Sequence, residues 1–164
     1  MSVAPSAASD PVVPAVARNW PADGRPAVLR GWSPPATPYG PGHRGVDLAV
    51  RPGGTVRAVA AGRVTFAGRV AGRGVVSVEL AGTGGPPLRT TYEPVRASVG
   101  RGDVVAPGDP VGTVEAPGAH CPAGCLHWGL RTGDAYLNPL SLLPPWLLDG
   151  GPSRLLPVLG VPPP

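Results

Sequence analysis

Arg63-Val64-Thr65-Phe66-Ala67-Gly68-Arg69-Val70, then Ala71-Gly72-Arg73-Gly74, then Val75-Val76-Ser77-Val78-Glu79-Leu80: two β-branched runs across a glycine-bearing link decide the fold of this chain. Val76, Val78 and Leu80 alternate with Val75, Ser77 and Glu79, and a period of two gives a strand one face for a core and one for solvent. The link supplies the glycine that a tight turn needs. Similar short pieces lie on either side: Pro26–Arg30, Gly45–Val50, Thr55–Ala60, Leu88–Tyr92, Val104–Val105, Val111–Glu115 and Leu126–Arg131. Glycine-bearing turns separate them, at Pro52-Gly53-Gly54, Ala61-Gly62, Gly82-Thr83-Gly84-Gly85 and Pro107-Gly108-Asp109. Short strands with regular turns and no helical period predict an all-β domain of compact antiparallel sheets, sandwich-like in build.

Composition agrees. The chain holds 25 Gly and 25 Pro among 164 residues, a density hostile to long helices. No glycine period of three points to collagen, and 42% hydrophobic residues suffice for a core. Residues 1–24, rich in Ala, Pro and Val without periodicity, read as a flexible leader or linker. The domain is expected over 25–146 and a disordered Pro-rich tail over 147–164. Trp32 to Gly42 is too rich in proline for a helix, whereas Asn138–Leu143 suits one helical turn before Pro144. No apolar run is long enough to span a membrane, and Met1 to Ala17 lacks the form of a signal peptide.

The net charge is +4 and every basic residue is Arg. The arginines are scattered, without the basic run or aromatic interleaving of a nucleic-acid surface, so nucleic acid is excluded as the expected partner. A mildly basic chain is drawn to anionic polymers, a cell wall among them. Two of the three histidines stand out. His43 and Asp47 lie in Gly42-His43-Arg44-Gly45-Val46-Asp47-Leu48, where flanking glycines and Pro41 forbid a helix. In extended chain their even separation still allows both side chains one face. In Cys125-Leu126-His127-Trp128-Gly129, Cys125 and His127 share a face while Leu126 and Trp128 point to a core. Two imidazoles and a carboxylate make a three-ligand zinc set with a fourth position open.

These segments, taken together, resemble the M23 peptidases, the lysostaphin-like cell-wall endopeptidases. Tyr39-Gly-Pro-Gly-His43-Arg-Gly-Val-Asp47-Leu is similar to their His-x3-Asp signature. Leu126-His127-Trp128-Gly129-Leu130-Arg131 is similar to their second signature, His-x-His followed by an aromatic residue and Gly. Thr55–Val64 and Gly108–Val114 resemble the strand pair and hairpin between them, so the likeness runs from about residue 26 to 145. The resemblance implies Zn2+ held by His43, Asp47 and His127, a narrow groove, and hydrolysis of peptide bonds in peptidoglycan. It further implies a protein outside the cell or bound to its wall, and a monomer is expected.

The chain departs from that pattern twice. Cys125 replaces the first His of His-x-His, and Pro94, in Thr91-Tyr92-Glu93-Pro94, replaces the His of a Tyr-x-His stretch. The family's histidines there handle protons and stabilise the tetrahedral intermediate, each effect worth a factor of about a hundred or more. Three alternatives stand. His120 or Glu93 takes over the proton work; Cys125 becomes a fourth zinc ligand and closes the site to water; or Cys121 and Cys125 form a disulfide across Pro122-Ala123-Gly124, the reading favoured for an exported protein. His120 and Cys125 are therefore the candidate catalytic residues beside the three metal ligands. A module that binds peptidoglycan or regulates a partner hydrolase without cutting is the alternative to an enzyme.

Overall fold

The computed structural model describes residues 12–34, 42–116, 121 and 123–149. The hairpin is there: β4 (Gly62–Val70) pairs antiparallel with β5 (Arg73–Leu80) through a turn at Ala71 and Gly72, both at positive φ. β5 passes to β6 (Leu88–Glu93), and β6 pairs with β10 (Cys125–Thr132). Beyond β10 come β2 (Val46–Ala49) and the edge strand β1 (Val28–Arg30). β8 (Val104–Val105) closes the far edge on β4, and β11 (Ala135–Leu137) pairs with the last residues of β10. A second sheet holds β3 (Thr55–Arg57), β9 (Pro110–Val114) and β7 (Val95–Ala97) in the order β3-β9-β7. Every pairing is antiparallel, and the all-β expectation holds.

One hydrophobic cluster joins the two sheets. The small sheet contributes Val56, Val95, Val111 and Val114, and the large one Val76, Val78, Tyr92, Leu126, Trp128 and Leu130. The alternation in β5 and β10 is what aims these side chains inwards and leaves Glu79, His127 and Arg131 on the other face.

Two features correct the expectations. The segment read as a leader through residue 24 belongs to the domain over its described part. Ala17 and Trp20 are buried, Arg18 N–H donates to Val59 O, and Ala22 bridges to Val56. Composition misleads here because a single packed strap needs no periodicity, only one large apolar anchor. That anchor is Trp20, tilted against Trp128 at 6.4 Å between ring centroids. The tail boundary moves as well: a short helix α1 (Pro145–Leu148) follows the 3₁₀ turn Pro139–Leu142. Leu147 and Leu148 pack on the core, and Leu147 O accepts from Trp20 Nε1. β7 and β11 were not anticipated, since three residues carry too short a pattern to read. Among the described residues, no helix is long and apolar enough to cross a membrane.

Candidate metal centre

Asp47 and His127 meet because β2 and β10 pair in a register that sets them directly opposite. Both sit between buried neighbours, Val46 and Leu48 in β2, Leu126 and Trp128 in β10, so their own side chains leave the sheet on its other face. His127 Nδ1 lies 2.8 Å from Asp47 Oδ1. His43 reaches the same carboxylate by a different route from the one expected. It is not part of β2; it forms an isolated bridge with Ser33, and the chain bends at Arg44 and Gly45 before the strand begins. That bend, rather than strand alternation, brings His43 Nε2 to 3.2 Å from Asp47 Oδ1.

The other nitrogen of His43 explains its orientation. Nδ1 lies 2.9 Å from the carbonyl oxygen of Gly31 and donates there, which turns Nε2 towards Asp47. Sequence reasoning could name no such orienting group, because a backbone acceptor on β1's exit leaves no signature in residue type. One ligand atom from each of His43, Asp47 and His127 lies within 4.8 Å of the other two. The two imidazole rings stand edge to face at 5.0 Å. Burial by itself would raise the Asp47 pKa; the hydrogen bond from His127 and the charges of both imidazoles outweigh it and hold the carboxyl below its usual value.

A cleft of about 520 Å³ opens over this trio. Its rim includes Arg73, Glu93, Pro94, Glu115 and Cys125. Glu93 sits across from His127 on the opposite side of β10 from Asp47, and Arg73 Nη1 donates to its Oε1 at 2.8 Å. Glu115 anchors the tip of the β4–β5 hairpin, accepting from Arg69 Nη1 at 2.6 Å and from Gly74 N–H at 2.8 Å. Cys125 and Cys121 are joined as a disulfide. That pairing is the favoured one of the three alternatives, and it occupies the Cys125 sulfur. His120 lies outside the described residues.

The chain is thus an antiparallel two-sheet β domain with a His/Asp/His cluster, a candidate metal centre, in a cleft. The model of Peptidase family M23 matches residues 41–139, and the chain belongs to that family. The uncharacterized protein Rv2891 of Mycobacterium tuberculosis is 45% identical over 145 residues, 85% of this chain and 55% of its own. Rv3786c of the same species, also uncharacterized, is 37% identical over 84% of this chain and 33% of its own. The chain thus spans about half, or less, of the length of these relatives. Among solved structures, Helicobacter pylori Csd3 superposes with a TM-score of 0.60 at 25% identity, over 77% of this chain and 34% of that one. The catalytic domain of the antimicrobial peptidase lysostaphin from Staphylococcus simulans gives 0.59 at 21% identity, over 75% and 92%, a likeness of fold.

Proposed function

We propose that this chain is a zinc-dependent endopeptidase acting on peptides of the bacterial cell wall, outside the cell or at the wall. The observation that carries the reading is the convergence of His43 Nε2, Asp47 Oδ1 and His127 Nδ1 at the floor of an open cleft in a chain of the M23 family. The donor set suits zinc. Tetrahedral bonds of about 2.0–2.1 Å separate neighbouring ligand atoms by roughly 3.3 Å, and the two distances to Asp47 Oδ1 are 3.2 and 2.8 Å. Zinc held by these three residues would supply Lewis acidity towards a peptide carbonyl. The chain's own residues do the rest. Gly31 O orients the ring of His43, and Asp47 holds the face of His127. Glu93, with its Cβ about 5 Å from that of His127 by cross-strand register, is the carboxylate placed to take and return a proton. A Cys121–Cys125 disulfide at the cleft rim suits an oxidising compartment.

A second reading has its own observation. Pro94 and the bridged Cys125 stand where the resemblance implies proton-handling histidines, which favours a module that binds wall peptides without cutting. The two part in one experiment. Purified peptidoglycan is treated with the zinc-loaded chain, with and without chelator, and released fragments are read by mass spectrometry. New, chelator-sensitive peptide termini establish the endopeptidase and show its bond. Wall binding with no release from several wall types establishes the binding module. His127→Ala is expected to lose zinc, and unchanged stoichiometry in that variant would overturn the ligand assignment.

A further inference from the structure

The outer face of the large sheet continues past the metal trio. Along β10 the outward positions are His127, Gly129 and Arg131, and along β6 they are Glu93, Thr91 and Arg89. The register stacks them in rows: Glu93 beside His127, Thr91 beside Gly129, Arg89 beside Arg131. Gly129 has no side chain, and the Arg44 carbonyl packs over it, 3.5 Å from where a Cβ would stand. A second cavity of about 560 Å³ occupies this stretch, touching His127 at one end. One wall is cationic, built from Arg44, Arg89, Arg131 and Tyr136; the other is apolar, with Phe66 and Val70.

The cationic wall has features that packing does not explain. Arg89 and Arg131 are direct cross-strand partners on one face, an arrangement that ordinarily destabilises a sheet. Arg89 also has Glu79 opposite it on β5, which offsets one charge of the pair. Arg131 has Tyr136 on its other side, and its guanidinium carbon lies 5.7 Å from that ring. Arg44 approaches the same ring at 5.5 Å, so two guanidinium groups gather on one aromatic. Arg131 Nε is buried with no hydrogen-bond partner, a donor left over by the fold. The one carboxylate lining this cavity, Glu93, is engaged by Arg73.

We propose that the cavity walled by Arg44, Arg89, Arg131 and Tyr136 is a subsite for a side-chain carboxylate of the peptide that fills the cleft. It rests on the reading that the cleft holds a peptide, and it names the class: an acidic peptide. Guanidinium forks are the natural partners of a carboxylate, and Tyr136 gathers two of them on one ring. Four strand residues separate His127 from Arg131, roughly 13 Å at about 3.3 Å per residue, so the recognised carboxylate lies a few residues from the metal trio. The apolar wall at Phe66 and Val70 suits small aliphatic side chains on the other edge of the same peptide.

The test uses the whole chain and synthetic five-residue peptides with blocked ends, each uncharged except for Glu, or its Gln control, scanned through the positions. Binding is followed by calorimetry with and without zinc. At one position Glu is expected to bind at least about tenfold tighter than Gln, a preference that shrinks as salt rises. Arg131→Gln is expected to bring the two peptides within about twofold of each other. Arg44→Gln, on the bend ahead of β2, gives the same readout if the strand variant does not fold. Equal binding of Glu and Gln at every position, no binding of either, or a preference that survives both variants overturns the subsite. The peptidase reading is judged separately by chelator-sensitive cleavage. A carboxylate preference without cleavage keeps the subsite and removes the enzyme; cleavage without the preference does the reverse.

Discussion

Gly45→Ala tests the tightest contact behind the metal centre. A Cβ at this position would lie 2.5 Å from Trp128 O, 2.6 Å from His127 Nε2 and 2.8 Å from His127 Cε1. Contacts under 3.0 Å are not tolerated, and the nearest atom is backbone in the middle of β10. Either β2 retreats from β10 by at least about half an ångström or the His127 ring turns off its line to Asp47. Forcing a methyl group into packed structure costs about 1–3 kcal/mol. The smaller entropy of the unfolded alanine chain offsets only about 0.4–1 kcal/mol of that. Misorienting one ligand lowers metal affinity by about 10–100-fold. Urea unfolding followed by tryptophan fluorescence reads the first quantity, since Trp20 and Trp128 are both in the core. Zinc titration against a chromophoric chelator reads the second. Gly129→Ala is the control: its Cβ would meet Arg44 O at 3.5 Å, an ordinary contact, so stability and zinc affinity are expected to hold. A Gly45→Ala protein with wild-type midpoint and wild-type zinc affinity refutes the claim that close approach of the bend to β10 sets the His127 geometry.

Three further outcomes follow from the same coordinates. Cys125→Ser is expected to lower stability by about 2 kcal/mol, from the loss of a short closed loop, and to leave zinc affinity within about twofold; a fall of orders of magnitude in a competitive titration would make the sulfur a ligand. Burial pushes the Tyr92 phenol up to about 12, so stability is full below pH 10 and falls by about 1.4 kcal/mol per unit as pH rises towards 12; Tyr92→Phe is expected to flatten that limb in alkaline urea melts while costing about 1–3 kcal/mol at neutral pH, because Thr90 and the Val59 N–H lose their acceptor. The hydrogen bond from Arg69, with the Gly74 N–H behind it, lowers the Glu115 pKa; its contribution is present above the usual carboxyl range and lost as pH falls through the folded value. Glu115→Gln is expected to remove that acid limb and to speed hydrogen exchange at Gly74, with under about 1 kcal/mol of global effect because Arg69 is exposed.

The sheets were readable because their strands are long enough to alternate. Val75–Leu80 and Leu126–Arg131 show the period of two, and both lie in the centre of the large sheet, where one face must be buried. β7 and β11, at three residues each, fall below what a pattern can carry, and their existence depends on partners far along the chain. The strap from Val13 to Ala22 was missed for a related reason. It packs through Ala17 and Trp20, two anchors with no repeat between them, and its hydrogen bonds go to residues 56 to 59, 142 and 147. Composition averages over such a segment and reports only its prolines.

The site divides along the same line. Asp47 and His127 were legible because each sits at an outward position of a patterned strand, and pairing register does the rest. His43 was legible as a residue type, but its placement depends on the Ser33 bridge and the Gly31 carbonyl, main-chain groups without a sequence signature. The geometry of the candidate trio is thus set largely by backbone pairing and by main-chain hydrogen bonds, which tolerate side-chain change around them. Glu93 was already in the sequence beside Pro94; what the register adds is its place opposite His127, with Arg73 holding it there. That places a carboxylate on the strand neighbouring His127. On the reading proposed above, the carboxylate opposite His127 is what weighs for altered acid–base chemistry at the trio against a binding module.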